Sequence, residues 1–207
     1  NEVKNNLNLL IDSLNSLINE AAMMRKAAER GELDTRADIS KFRGAWAEIV
    51  QGLNDTAEGM IVPMRDVGSV LDRMAAGDLK ARVTNEYKGD YDVLKKACND
   101  LGVQLQGVQE VLEDLKNAAI EGKLDARGDY DRFKGEIAGM VKGLNEVLDA
   151  IIGPLTITAE YVDRISKGDI PEKITDEYKG DFNEVKNNLN LLIDSLNSLI
   201  NEAAMMR

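Results

Sequence analysis

Gly77-Asp78-Leu79-Lys80-Ala81-Arg82-Val83-Thr84-Asn85-Glu86-Tyr87-Lys88-Gly89-Asp90-Tyr91 is the stretch that decides the fold. It separates two runs of regularly spaced apolar residues. It returns 91 residues later as Gly168-Asp169-Ile170, closing on Glu177-Tyr178-Lys179-Gly180-Asp181-Phe182. Two looser versions interleave with it. Gly31-Glu32-Leu33-Asp34-Thr35-Arg36 closes on Phe42-Arg43-Gly44, and Gly122-Lys123-Leu124-Asp125-Ala126-Arg127 closes on Phe133-Lys134-Gly135. The opening glycines are 46, 45 and 46 residues apart. The chain therefore holds four modules of two alternating kinds, and a sequence of this sort is read by its period. Residues 1–25 also recur letter for letter as residues 183–207, an offset of two 91-residue pairs.

Between the glycine-bounded connectors the apolar residues keep heptad spacing. The second run reads Trp46, Val50, Leu53, Ala57, Met60, Met64, Val67, Leu71 and Met74; the fourth reads Ile137, Val141, Leu144, Leu148, Ile151, Leu155, Thr158, Val162 and Ile165. The first, third and fifth runs begin at Val3, Leu94 and Val185 with the same alternation of four and three. Seams this regular predict long helices in left-handed coiled-coil packing, each needing partner helices to cover its apolar side.

Connector length gives the arrangement. An antiparallel helix pair needs only about 2–8 linking residues. These connectors have 13 or 14 residues, enough to climb roughly 40 Å when extended. That exceeds the roughly 23 Å of a 15-residue helix. A connector can therefore return along one helix and start a second parallel to it. Gly31, Gly77, Gly122 and Gly168 are expected to cap the preceding helices in the left-handed conformation. Leu33, Leu79, Leu124 and Ile170 are expected to anchor the start of each connector. Val83 and Ile174 supply a second anchor in two modules. Ala37 and Gly128 stand at that place in the other two, which are expected to be held more loosely.

Composition narrows the function. The 207 residues carry a net charge of −11, which disfavours nucleic acid as a partner. There is no histidine, so the usual general base and the commonest metal ligand are missing. One cysteine, Cys98, excludes an internal disulfide and suits a reducing compartment. It stands on a seam, where a small buried hydrophobe is expected, as do Met24, Met60, Met64, Met74 and Met206. No apolar run approaches the length that spans a bilayer. No catalytic, metal-binding or cofactor-binding residue is assigned, and no cofactor is expected.

A parallel helix–connector–helix unit opened by Gly-Asp-Leu or Gly-Asp-Ile resembles the HAMP domain of bacterial chemoreceptors and sensor histidine kinases. Pro63 and Pro154 lie 14 residues before Gly77 and Gly168, where that family often carries a proline. Leu79 with Val83, and Ile170 with Ile174, match its buried connector pair. Leu53-Asn54, Leu144-Asn145 and Leu189-Asn190 resemble its Leu-Asn step, and Cys98-Asn99 is a variant. The alternation resembles tandem poly-HAMP arrays. It implies divergent modules at 15–58 and 105–149 and proline-bearing modules at 59–104 and 150–195. Residues 1–14 are then the second helix of a preceding module and 196–207 the first helix of a following one.

The resemblance implies an all-α fold: concatenated parallel four-helix coiled-coil bundles formed by a parallel homodimer, in an elongated rod. It implies a non-enzymatic relay segment of a receptor, transmitting conformational change by switching helix packing between modules. A structural spacer or filament-forming rod is the alternative. The expected partners are a second copy of the chain and the adjoining sensor and output domains, with end-to-end assembly possible. Direct membrane insertion is not expected. The expected compartment is the cytoplasm, with a parent protein that could be anchored in the inner membrane. Pro63 and Pro154 remove a hydrogen bond inside a helical pattern. The junctions at 56–64 and 147–155 are therefore expected to kink or break, and those at 8–20, 99–111 and 190–202 to run straight.

Overall fold

A computed structural model describes residues 2–206; the first residue of the 1–14 segment and the last of the 196–207 segment lie outside the described residues. Five long helices carry the chain: α1 (Glu2–Glu29), α2 (Ala45–Ala75), α3 (Asp90–Ile120), α4 (Gly135–Ser166) and α5 (Gly180–Met205). Among the described residues there is no strand. The two divergent connectors each contain a short 3-10 turn, at Ile39–Lys41 and Tyr130–Arg132. Asp38 and Asp129 cap these turns by accepting from the backbone N–H groups of Ser40 and Asp131. The proline-bearing connectors have no such turn.

The chain divides into two compact units, Asn1–Gln106 and Gly107–Arg207. In the first unit, the path of a connector is legible from its partners on α2. Asp34 pairs with Arg65, Arg36 with Glu58 and Ala37 with Asn54, so the connector climbs as the partner numbers fall. It thus runs antiparallel to α2. Val67, Val70 and Met74 of α2 share a cluster with Ala81 and Val83 of the next connector and Cys98 of α3. Met74 lies further along α2 and faces Gly102 further along α3, as parallel helices require. A second cluster joins Ala37, Phe42 and Val50, with Leu17, Met24 and Trp46 packed on it.

In the second unit, Val108, Val111 and Leu112 of α3 line one cleft with Met140, Val141 and Leu144 of α4. The connector runs back along α3 to pair Arg132 with Glu110. It runs antiparallel to α4, pairing Arg127 with Asp149 and Gly128 with Asn145, so the two helices are parallel. Val111, Phe133 and Val141 form its buried cluster. Further along, Pro154 and Ile157 of α4 line one small cavity with Ile174, Tyr178, Phe182 and Leu189. Each unit is therefore built from parallel helices with the connector lying in the groove beside them.

The helices do not break at the prolines: α2 and α4 run unbroken through Pro63 and Pro154. Each loses one ladder bond within a helix of about thirty residues whose other turns are intact. In α4 the preceding residue is Gly153, which has no Cβ to meet the proline ring. Pro63 is buried and Pro154 half-buried, so both rings also serve as packing groups.

The terminal duplication separates sequence from context. In α5, Leu189 and Ile193 are 8% and 1% exposed, beneath the connector at 168–180. The identical Leu7 and Ile11 of α1 are 57% and 48% exposed. Burial is imposed by the connector laid over the helix, not by the helix sequence alone. Other seam residues stay bare as well, among them Met60, Met64, Leu71, Leu101, Leu112, Leu155 and Leu192.

Candidate functional site: the connector clamp

Each connector starts on a glycine with positive φ: Gly31 at 77°, Gly77 at 96°, Gly122 at 74° and Gly168 at 81°. The following N–H reaches back to the helix, as in Asp78 N–H to Arg73 carbonyl at 2.9 Å, while Gly77 N–H bonds Met74 carbonyl at 2.9 Å. The same pair of bonds forms at Glu32, Lys123 and Asp169. These are Schellman caps, which satisfy orphan carbonyls at the helix end. Arg73 and Arg164, near the helix ends, pair with Asp78 and Asp169 just beyond the glycine. Those carboxylates are held below the usual range chiefly by the arginine hydrogen bonds.

Further up, every connector is gripped by one asparagine of the next helix through two hydrogen bonds. Ala37 N–H donates to Asn54 Oδ1 at 2.9 Å, and Asn54 Nδ2 donates to the Ala37 carbonyl at 3.0 Å. Asn99 does the same to Val83 at 2.8 and 3.0 Å. Asn145 grips Gly128 at 2.8 Å in both directions, and Asn190 grips Ile174 at 2.8 and 3.0 Å. A carboxamide offers both an acceptor and donors, so one side chain saturates one backbone residue. The clamp fixes the height of the connector on the helix pair, because a shift by one residue would break both bonds.

An arginine ties the lower connector. Arg82 Nη1 donates to the Leu79 and Ala81 carbonyls at 2.6 and 2.7 Å, and Nη2 donates to Gln106 at 2.9 Å. Arg36 and Arg127 make the equivalent carbonyl bonds and turn their remaining nitrogens to Glu58 and Asp149. Lys173 holds the corresponding place in the fourth module and pairs with Asp194 at 2.7 Å. The carboxylates Glu58, Asp149 and Asp194 each stand one helical turn beyond the clamp asparagine.

The residues expected to anchor the connectors fall into two groups. Val83 and Ile174 are buried, and so are Ala37 and Gly128 at the same place. Looser seating of the Ala37 and Gly128 connectors is therefore not what the structure shows. Their small size lets the backbone come closer: a Cβ on Gly128 would meet Val111 at 2.6 Å and Val141 at 2.8 Å. The four starting anchors are less covered. Leu33, Leu79 and Ile170 are half-buried and Leu124 is exposed. Cys98 is buried and its thiol is pushed up chiefly by desolvation, which makes it unreactive. The clamp asparagines and connector arginines were not among the expected site residues. Their signal was present, since Asn54, Asn99, Asn145 and Asn190 recur 23, 22, 23 and 22 residues after the opening glycines.

On the other side, Glu20 of α1 accepts from the Asp38 N–H at 3.0 Å and from Lys41 Nζ at 2.6 Å. Asp66 of α2 accepts from the Tyr87 hydroxyl and the Asn85 carboxamide. Among the described residues, no three His, Cys, Asp or Glu side chains come together to hold a metal ion. No helix among them is long and apolar enough to cross a membrane.

Comparison with known proteins agrees with this geometry. A model of the HAMP domain matches residues 41–107 and 132–198, and each match contains one proline-bearing connector. The methyl-accepting chemotaxis protein McpB of Pseudomonas aeruginosa is 27% identical over 100 residues. That stretch is 48% of this chain and spans 14% of the length of that relative.

Proposed function

The chain belongs to the HAMP domain family, and from that membership we propose that it is the relay segment of a larger chemoreceptor or sensor kinase. A signal-transduction role follows from tandem HAMP domains. The finer reading has two parts. The first is that two copies associate in parallel, so that each helix–connector–helix module becomes half of a four-helix bundle. The second is that successive bundles pass a signal by changing their helix packing. The module boundaries at 15–58, 59–104, 105–149 and 150–195 belong to this reading. So do a cytoplasmic location, adjoining sensor and output domains, and any end-to-end assembly.

The observation that supports it is the half-covered seam. Within a module the connector covers one side of each apolar stripe, and the other side stays bare at Met64, Leu71, Leu101, Leu112, Ile151 and Leu155. A bare stripe on both of two parallel helices is what a second identical pair covers. The clamp adds the relay property. It fixes connector to helix through paired bonds, so displacement of the helix is carried by the connector rather than lost between them.

The test is substitution of Leu79→Ser or Ile170→Ser in the intact parent protein, with signal output as the readout and circular dichroism as the control for folding. The relay reading expects output to lock toward one bias while helical content is kept. Wild-type output from folded variants would make the segment a passive spacer.

A further inference from the structure

Glu20 and Asp66 stand at one structural position, 11 residues before the glycines Gly31 and Gly77. Both face the upper connector from the first helix of their module. Their counterparts in the second unit, 11 residues before Gly122 and Gly168, are Val111 and Ile157. This difference cuts across the alternation of module kinds, because each unit contains one divergent and one proline-bearing module. We propose that the connectors of the first unit are latched to their helices by a carboxylate, that those of the second unit are seated by an apolar contact, and that neutralising the latch frees the first-unit connectors alone.

The contacts differ accordingly. Glu20 is itself buried, with one oxygen on the Asp38 N–H and the other on Lys41 Nζ. Asp66 gathers Tyr87 and Asn85 on a single oxygen. In the third module Val111 is buried against Phe133 and Val141, and Arg132, at the place of Lys41, turns to Glu110 at 3.4 Å. In the fourth, Ile157 faces Tyr178 and Ile174 across the small cavity beside Pro154. Hydrogen bonds to a carboxylate are short and directional, and they fail when it is protonated or displaced. An apolar contact tolerates both.

Among the described residues, the titratable groups acting on Glu20 are Lys41, which lowers its affinity for a proton, and Asp38, whose backbone N–H adds to that while its carboxylate charge weakly opposes it. Tyr87 acts on Asp66 together with the Asn85 amide. Arg82 lines the same cleft but is turned to the connector carbonyls and Gln106. Both carboxylates sit below their ordinary values of 4.5 and 3.8, Glu20 chiefly through Lys41 and Asp66 chiefly through Tyr87. A lowered carboxylate contributes stability above its unfolded value, lost as pH falls through the folded one. The latches are therefore closed at neutral pH and open only as the pH falls below those ordinary values.

Hydrogen exchange of the full chain tests this at pH 7 and along a descending series that continues below pH 3.8, with rates corrected for intrinsic exchange. Peptides covering 31–44 and 77–89 should lose protection as the pH falls below those ordinary values, while that covering 122–135 changes little; 168–180 carries the Arg164–Asp169 pair and responds only through it. At pH 7, Glu20→Gln should loosen only 31–44, and Asp66→Asn only 77–89. Glu20→Val, which copies the third module, should reduce the acid response of 31–44 to the share left to Glu32 and Asp38. An equal response of all four connectors would overturn the proposal. So would neutral-pH variants that exchange like the wild type, which decide the matter even if the chain unfolds globally in acid.

Discussion

Asn54 shows how much a single side chain holds. It is buried, and its amide saturates both backbone polar groups of Ala37, which is itself buried. Truncation to alanine leaves a buried donor and acceptor unpaired. Such groups cost about 1–3 kcal/mol each when partners are lost, and solvent entry at a groove relieves part of this. Asn54→Ala is expected to destabilise the first unit by about 2 kcal/mol, read as a lower denaturant midpoint with unchanged slope. Asn54→Asp keeps the acceptor but loses the donor to the Ala37 carbonyl, and should also destabilise. Glycines give a contrast of sign. Gly77 has φ of 96°, so Gly77→Ala should cost about 1–2 kcal/mol. Gly52 lies inside α2 with nothing within 4 Å of an added Cβ, so Gly52→Ala should gain about 0.5–1 kcal/mol. Thermal melts of the two variants should move in opposite directions.

At the scale of elements, the helices were legible because the heptad stripe is uninterrupted from connector to connector. The expected stripe from Trp46 to Met74 lies inside a helix spanning Ala45–Ala75. The connectors were legible as long parallel crossovers from their length alone. Their fine seating was not, because it depends on asparagine, a residue whose single-sequence meaning is usually a turn or cap. Nor did the sequence reveal that Ala37 and Gly128 are gripped as firmly as Val83 and Ile174, since a small side chain hides a close backbone approach. The expected break at the prolines does not occur for a related reason: propensity counts the lost bond, whereas a long packed helix tolerates it. Restoring that bond with Pro63→Ala is expected to leave the helical content of α2 unchanged by circular dichroism. The packing lost with the buried ring offsets the gain in propensity, so the midpoint should shift by less than about 2 kcal/mol.

At the scale of the whole molecule, the repeated architecture was readable from four glycines at a constant step, and the family from the resemblance of the Gly-Asp-Leu and Gly-Asp-Ile connectors, their buried pairs and the prolines 14 residues before them. What the sequence marked as one continuous seam, the structure divides into a side covered by connectors and a side left bare. That bare side is the physical reason to expect a partner, and a parallel partner is the central claim. Single nitroxide labels test it in a Cys98→Ser background, one at Asp55→Cys and one at Asp194→Cys, with intermolecular distances measured by pulsed electron paramagnetic resonance. A parallel, in-register dimer predicts one distance of about 20–40 Å at both sites, set by the width of a four-helix bundle and the label arms. No intermolecular dipolar signal, or a short distance at one site and none at the other, would contradict the account.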